Sequence, residues 1–346
     1  MTLPIAGTAP MHNKNQHPSD PIVRKSVDRF HIPSTVSTEA AARLRTLYAM
    51  LAARPQPQEP ISMDDFDKAN AEVMQRVGPI ASAVADHLGV AQANALIDGI
   101  PALRLRPPRH CDQGLMLLYT HGGSYIYLSA ATSLIVPSLI AVATGHEVIS
   151  IDYTIAPRGN WMTATNEVLT VWNALLRDGR NPKATGIFGD SAGGGLAVGS
   201  VLKMRDQGLP LPGAIYLLSP WTDLAGIGDT VTTLAAADPS IRAEFMTWGA
   251  NAYANPTCQK HPYVSPVYGD YTKPFPPTLI QAGTREMLLS DAIRQYQAIS
   301  AGGKAAVLDI YEGMPHVFQA LLIDTPEAKA AVTRAAQFFN NHLRPL

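Results

Sequence analysis

Residues 186–200, GIFGDSAGGGLAVGS, set a single serine, Ser191, among glycines that would weaken an ordinary strand or helix. The run TGIFG before it is apolar and short, and SAGGGLAVGSVLKMRDQG after it reads as a small-residue helix, so Ser191 sits in a strand-to-helix turn. A phosphate loop would need Lys followed by Ser or Thr, and GDSAGGGLAV has neither. A dinucleotide fingerprint needs the G-x-G-x-x-G spacing, which also fails. What fits is G-x-S-x-G, Gly189 to Gly193. In that pattern a strained turn lifts the serine hydroxyl above a sheet, and the amide of the next residue, Ala192, lies at the positive end of a helix. A helix start that uses glycines only for close packing meets the same five letters, so the remaining chain has to decide.

Further short apolar runs stand on either side: GLMLLYT, EVISIDY, AIYLLS, TLIQAG and AAVLDIY. Each is followed by a loop and most then by a helical stretch, which indicates strands of a mostly parallel central sheet buried on both faces by helices, an α/β fold. Ligands of such sheets bind beyond the carboxyl ends of the strands. Before position 100 the pattern is different. TEAAARLRTLYAMLAA and MDDFDKANAEVMQRVGPIASAVADHL carry apolar residues at helical spacing around RPQPQEP, so residues 1–100 read as an N-terminal extension and small helical region and 101–346 as the α/β domain.

With 27 Lys+Arg against 28 Asp+Glu and 16% charged residues, the 346-residue chain offers no basic face for nucleic acid. No apolar run reaches the roughly 18 residues of a membrane span, and the polar, proline-bearing start lacks the parts of a secretory signal. Two cysteines, Cys111 and Cys258, are too few for a disulfide framework or a zinc site, which fits a reducing cytoplasm. The expected partner is a small, largely uncharged molecule, with no metal, no cofactor and no stable membrane association.

A serine hydroxyl is a weak nucleophile and needs a base, which needs an orienting acid. Among ten histidines, His316 in YEGMPHVF is the one placed after the last strand, where a loop can carry it to Ser191. His110, His146 and His261 have no comparable setting. The loop after TLIQAG, TREMLLSDAI, supplies the acid as Glu286 or Asp291; Glu286 is preferred because it lies nearer the strand end, whereas Asp291 suits the first turn of a helix. Asp223 in SPWTDL is a third candidate, and Asp190 is too near Ser191 to serve and braces the turn instead. The Gly-Gly of HGGSY, next to His121, is either a plain turn or a source of backbone donors, Gly122 and Gly123, that join Ala192 around an oxyanion.

HGGSY, GDSAGGG, LLSPWTDL, HPYVSP, PPTLIQAGTREMLLSDA and EGMPHVFQ, in this order, resemble the bacterial hormone-sensitive lipase family of α/β-hydrolases from about position 100 onward. The resemblance implies an α/β-hydrolase fold and cofactor-free hydrolysis of short- to medium-chain carboxylic esters. It implies Ser191 as nucleophile, His316 as base, Glu286 at the acid position and Gly122, Gly123 and Ala192 as oxyanion donors. The helical first quarter corresponds to the family's cap, whose apolar residues Tyr48, Met50, Leu51 and Met74 either wall the pocket or pack the helices together, and family members often dimerise, for which the last strand offers an edge to pair. Two departures stand out: Ser124 replaces a third glycine, and YTIAPRGNW replaces an acidic, histidine-containing sequence. A dehydratase or a non-catalytic receptor on the same scaffold is the alternative; the presence of Ser191 and His316 speaks against each in turn.

Overall fold

The computed structural model describes residues 30–53, 56–110 and 114–344, and from Ile32 onward they form one compact unit. Two helices come first, α1 (Thr38–Ala52) and α2 (Met63–His87), the second started by a capping box between Ser62 and Asp65. Strands β1 (Ala91–Ile97) and β2 (Ile100–Arg106) follow as an antiparallel hairpin. Their two-residue turn, Asp98-Gly99, has φ of 48° and 82°, which is the left-handed geometry that matches the twist of paired strands. The sheet therefore begins at Ala91, ahead of the expected boundary at 100, and has eight strands where the apolar runs announced six.

The other strands alternate with helices: β3 (Met116–Thr120), α3 (Ile135–Thr144), β4 (Glu147–Ile151), α4 (Trp161–Arg177), β5 (Thr185–Asp190), α5 (Ser191–Asp206) and β6 (Ala214–Leu218). An excursion with the four-residue α6 (Thr230–Thr233) and α7 (Ala243–Tyr253) precedes β7 (Thr278–Gly283), α8 (Leu289–Ala301), β8 (Ala306–Tyr311), the short α9 (Phe318–Leu321) and α10 (Pro326–His342). Strand order is β1-β2-β4-β3-β5-β6-β7-β8, parallel from β4 to β8. Successive residues of the central strands feed opposite cores. Leu118, Ile187, Leu217 and Ile280 pack with α4, α5 and α8, whereas Leu117, Phe188, Tyr216 and Leu279 pack with α3 and α10. Burying both faces explains why these strands read as continuous apolar runs, and truncating a fully buried member such as Leu118 to Ala costs about 2–5 kcal/mol.

Chain direction along the sheet reverses around β3, which lies between β4 and β5, so the loops after β3 and β5 open into one crevice. HGGSY and the Ser191 turn are those two loops. No helix among the described residues is long and apolar enough to cross a membrane. Of the apolar residues expected to wall the pocket, Tyr48 is buried and Met74 half-buried, but Met50 faces solvent, 62% exposed. The side chain of Leu51, like Cys111, lies outside the described residues.

Candidate active site

Ser191 is the first residue of α5 and has φ 53°, a left-handed conformation that a non-glycine residue holds only when its surroundings force it. The surroundings are the close crossing of β3 and α5. A Cβ at Gly193 would collide with the carbonyl oxygens of Thr120 and His121, so only glycine lets the helix approach the loop after β3 this closely. Thr120 Oγ1 then donates to the Gly193 carbonyl at 2.8 Å.

His316 is carried by the loop after β8 and Glu286 by the loop after β7, adjacent positions in a parallel sheet. His316 Nδ1 lies 2.9 Å from Glu286 Oε2, and the other carboxylate oxygen of Glu286 accepts the Gly283 amide at 2.7 Å. Glu286 is fully buried and His316 nearly so. The loop after β6 ties both partners together: Ser219 Oγ accepts the Val317 amide at 2.9 Å, and the Trp221 amide donates to the Ser191 carbonyl at 2.8 Å. Burial pulls the His316 pKa down, but the hydrogen bond and charge of Glu286, aided by Asp238 and Asp190, outweigh it and leave the imidazole above its ordinary value. Among the described residues no hydrogen bond joins Ser191 Oγ to His316, an arrangement common before substrate binds.

The alternative acids sit elsewhere. Asp291 is fully buried in the first turn of α8, where Oδ2 accepts the Thr222 and Asp223 amides, each at 2.8 Å. Asp223 is ion-paired with Arg294 at 2.6 Å. Neither touches His316. Asp190 does brace the turn, accepting from the Tyr119 hydroxyl at 2.5 Å and from the Gly122 amide at 3.0 Å.

That last bond corrects one expectation. The Gly122 N–H is held by the Asp190 carboxylate and is not available to an oxyanion. The amides of Gly123 and Ala192 have no partner among the described residues, and neither has that of Ser124, one position further on. Gly123, Ser124, Tyr125 and Leu128 all have positive φ, so this loop is tightly coiled. His121, by contrast, is buried, stacked on Tyr153 at 4.3 Å, with Nδ1 2.7 Å from the Gly122 carbonyl. It holds the loop. His146 is also buried, and His261 lies against Trp161 and Tyr263 at the chain surface. The atypical YTIAPRGNW segment reaches α2: Arg158 pairs with Asp67 through both guanidinium and carboxylate edges.

Sequence reasoning passed over α7 and Asp238. Gly249 of α7 packs on the Ser124 carbonyl, where a Cβ would clash, and Tyr253 stacks on Tyr125 at 3.7 Å. Met246, Ala250 and Tyr253 of AEFMTWGANAY recur at helical spacing and mark the helix, but nothing in that pattern marks its contact with HGGSY.

Comparisons with known proteins agree with this geometry. The family model described as the alpha/beta hydrolase fold matches residues 117–320. An acetyl-hydrolase of Streptomyces hygroscopicus is 35% identical over 234 residues, 68% of this chain and 77% of the relative. The crystal structure of a double mutant of the esterase E40 superposes with a TM-score of 0.79 at 32% identity, covering 89% of this chain and 99% of that one. An esterase described as belonging to the bacterial hormone-sensitive lipase family superposes with a TM-score of 0.78 at 30% identity, covering 88% and 99%. With the Ser191 turn, the HGG loop and the His316 loop at the ends of β5, β3 and β8 of one parallel sheet, the chain belongs to the bacterial hormone-sensitive lipase family of α/β-hydrolases.

Proposed function

We propose that this serine carboxylesterase hydrolyses short- to medium-chain carboxylic esters through an acyl-enzyme, with Ser191, His316 and Glu286 as its triad. The observation that carries the assignment is the 2.9 Å contact between His316 and the fully buried Glu286, in a loop tied through Ser219 and Trp221 to the strained Ser191 turn. His316 takes the Ser191 proton as Oγ attacks the ester carbonyl, and Glu286 stabilises the imidazolium. The C–O bond then breaks, the alcohol leaves with the proton from His316, and water, deprotonated by the same imidazole, releases the acid. The amides of Gly123, Ser124 and Ala192 are the donors to the oxyanion, each contributing on the order of a hundredfold or more in rate. Nothing in this sequence of steps calls for a metal or a cofactor. The substrate is a neutral small molecule, consistent with the near-balanced charge of the chain. We further assign the enzyme to the cytoplasm, on its cysteine usage, and to a homodimer joined at β8.

The test is a p-nitrophenyl ester series of increasing acyl length. Wild type is expected to turn over the shorter esters, and Ser191→Ala to lose at least about 10³-fold in kcat. Full activity in that variant would remove the nucleophile assignment.

A further inference from the structure

The excursion between β6 and β7 wraps around the loop that carries Glu286. Thr230 Oγ1 donates to the Met287 carbonyl at 2.8 Å and accepts the Ser290 amide at 2.8 Å. Asp238, 9% exposed, takes the Ser240 and Ile241 amides on Oδ1 at 2.7 and 3.1 Å. Its Oδ2 accepts the Met287 amide at 2.8 Å, one residue from Glu286. Among the described residues no lysine or arginine pairs with it. A buried carboxylate without a cation is destabilising on its own. Of the side chains that act on it, His316 can carry a positive charge, and Asp238 favours that imidazolium.

We propose that Asp238 is a positioning residue of the active site: it fixes the Glu286 loop through the Met287 amide, and its charge helps hold the imidazolium that forms when Ser191 gives up its proton. The inference rests on the triad reading above. Its energetic logic is differential, because the buried charge is uncompensated in the resting enzyme and compensated when His316 is protonated in the transition state. The ionisable groups facing His316 are Glu286, Asp238 and Asp190, the last of which also faces Tyr119 and His121. Burial pushes the Asp238 carboxyl up to about 6 against the pull of His316 and its three amides.

The experiment is the pH profile of kcat/KM on p-nitrophenyl acetate for wild type, Asp238→Asn and Thr230→Ala, with the His316 imidazole titrated by NMR in Ser191→Ala with and without Asp238→Asn. Without the Asp238 charge, the imidazole loses its proton more readily. The acid limb is expected to move to lower pH by roughly half a unit to one unit. The NMR titration should move in the same direction, and kcat should fall more than KM changes. Thr230→Ala removes a neutral contact to the same loop and is expected to lower kcat without moving the limb. Superimposable limbs and unmoved NMR titrations would overturn the proposal, leaving Asp238 as packing. Should Asp238→Asn fail to fold, Asp238→Ser, which keeps a small acceptor, is read by the same criteria. A wild type inactive on every ester, or an active Ser191→Ala, would sink the triad reading instead, and the NMR titration would still report on Asp238.

Discussion

Glu286 and Asp291 stand five residues apart, both fully buried, and their surroundings give them different tasks. Glu286 meets an imidazole; Asp291 meets two backbone amides and the charge of Asp223, while its Oδ1 has no partner. Glu286→Gln is therefore expected to lower kcat/KM by about 10³-fold or more, and Asp291→Asn far less, in ester hydrolysis at the optimum pH. The reverse ranking would move the acid role to Asp291. Stability should separate them as well. Burial, then the Asp223 charge, raises the Asp291 carboxyl to about 8, so the folded chain holds a proton that the unfolded chain releases near pH 4. A folded-state pKa above the unfolded one gives stability that is complete below about pH 4 and is lost as pH rises toward 8. Melting of wild type across pH 5 to 9 should fall relative to Asp291→Asn, and parallel curves would refute this.

At the scale of elements, α7 bears on the chemistry without supplying a side chain to it. Gly249 lets the helix rest on the Ser124 carbonyl, Tyr253 stacks on Tyr125, and Phe245 meets Tyr127 edge-on at 5.7 Å. A loop with four left-handed residues is held in shape from outside by this helix. In Gly249→Ala the new methyl must displace either α7 or Ser124, and the expected result is a kcat lower by about tenfold or more, with unchanged far-UV circular dichroism. Unaltered kcat would show the loop to be self-supporting. This element also marks where sequence reading stops. Ser191, His316 and Glu286 stood out as candidates because each lies just past one of the short apolar runs, in a motif whose chemistry is local. The β1–β2 hairpin was legible in principle from its Asp-Gly turn, but β1 is a largely exposed outer strand of small and polar residues, and the proline and arginines of β2, IPALRLR, interrupt the apolar run that marks the buried strands. Gly122's engagement by Asp190 and Asp238's grip on Met287 join residues 68 and 49 positions apart. Such contacts come from the sheet order, which no local pattern contains.

For the whole molecule, the last strand poses a question of assembly. β8 is the outer strand of the sheet and among the described residues pairs only with β7, and its Val307 and Ile310 are 38% and 37% exposed. AVLDIY contains no proline and no lysine, the residues that usually protect such an edge from pairing. A second copy related by a two-fold axis can add its own β8 antiparallel, which turns two eight-stranded sheets into one continuous sheet and satisfies both edges by the same contact. Because β8 leads directly into the loop of His316, this pairing would also steady the base, so dimer and activity should fall together. Light scattering is expected to give twice the chain mass of 37.1 kDa. Ile310→Lys, which sets a charge on the edge, should shift the mass toward one chain and lower kcat/KM with it. A wild type that stays at the mass of one chain at all concentrations would place the closing of this edge within the chain itself.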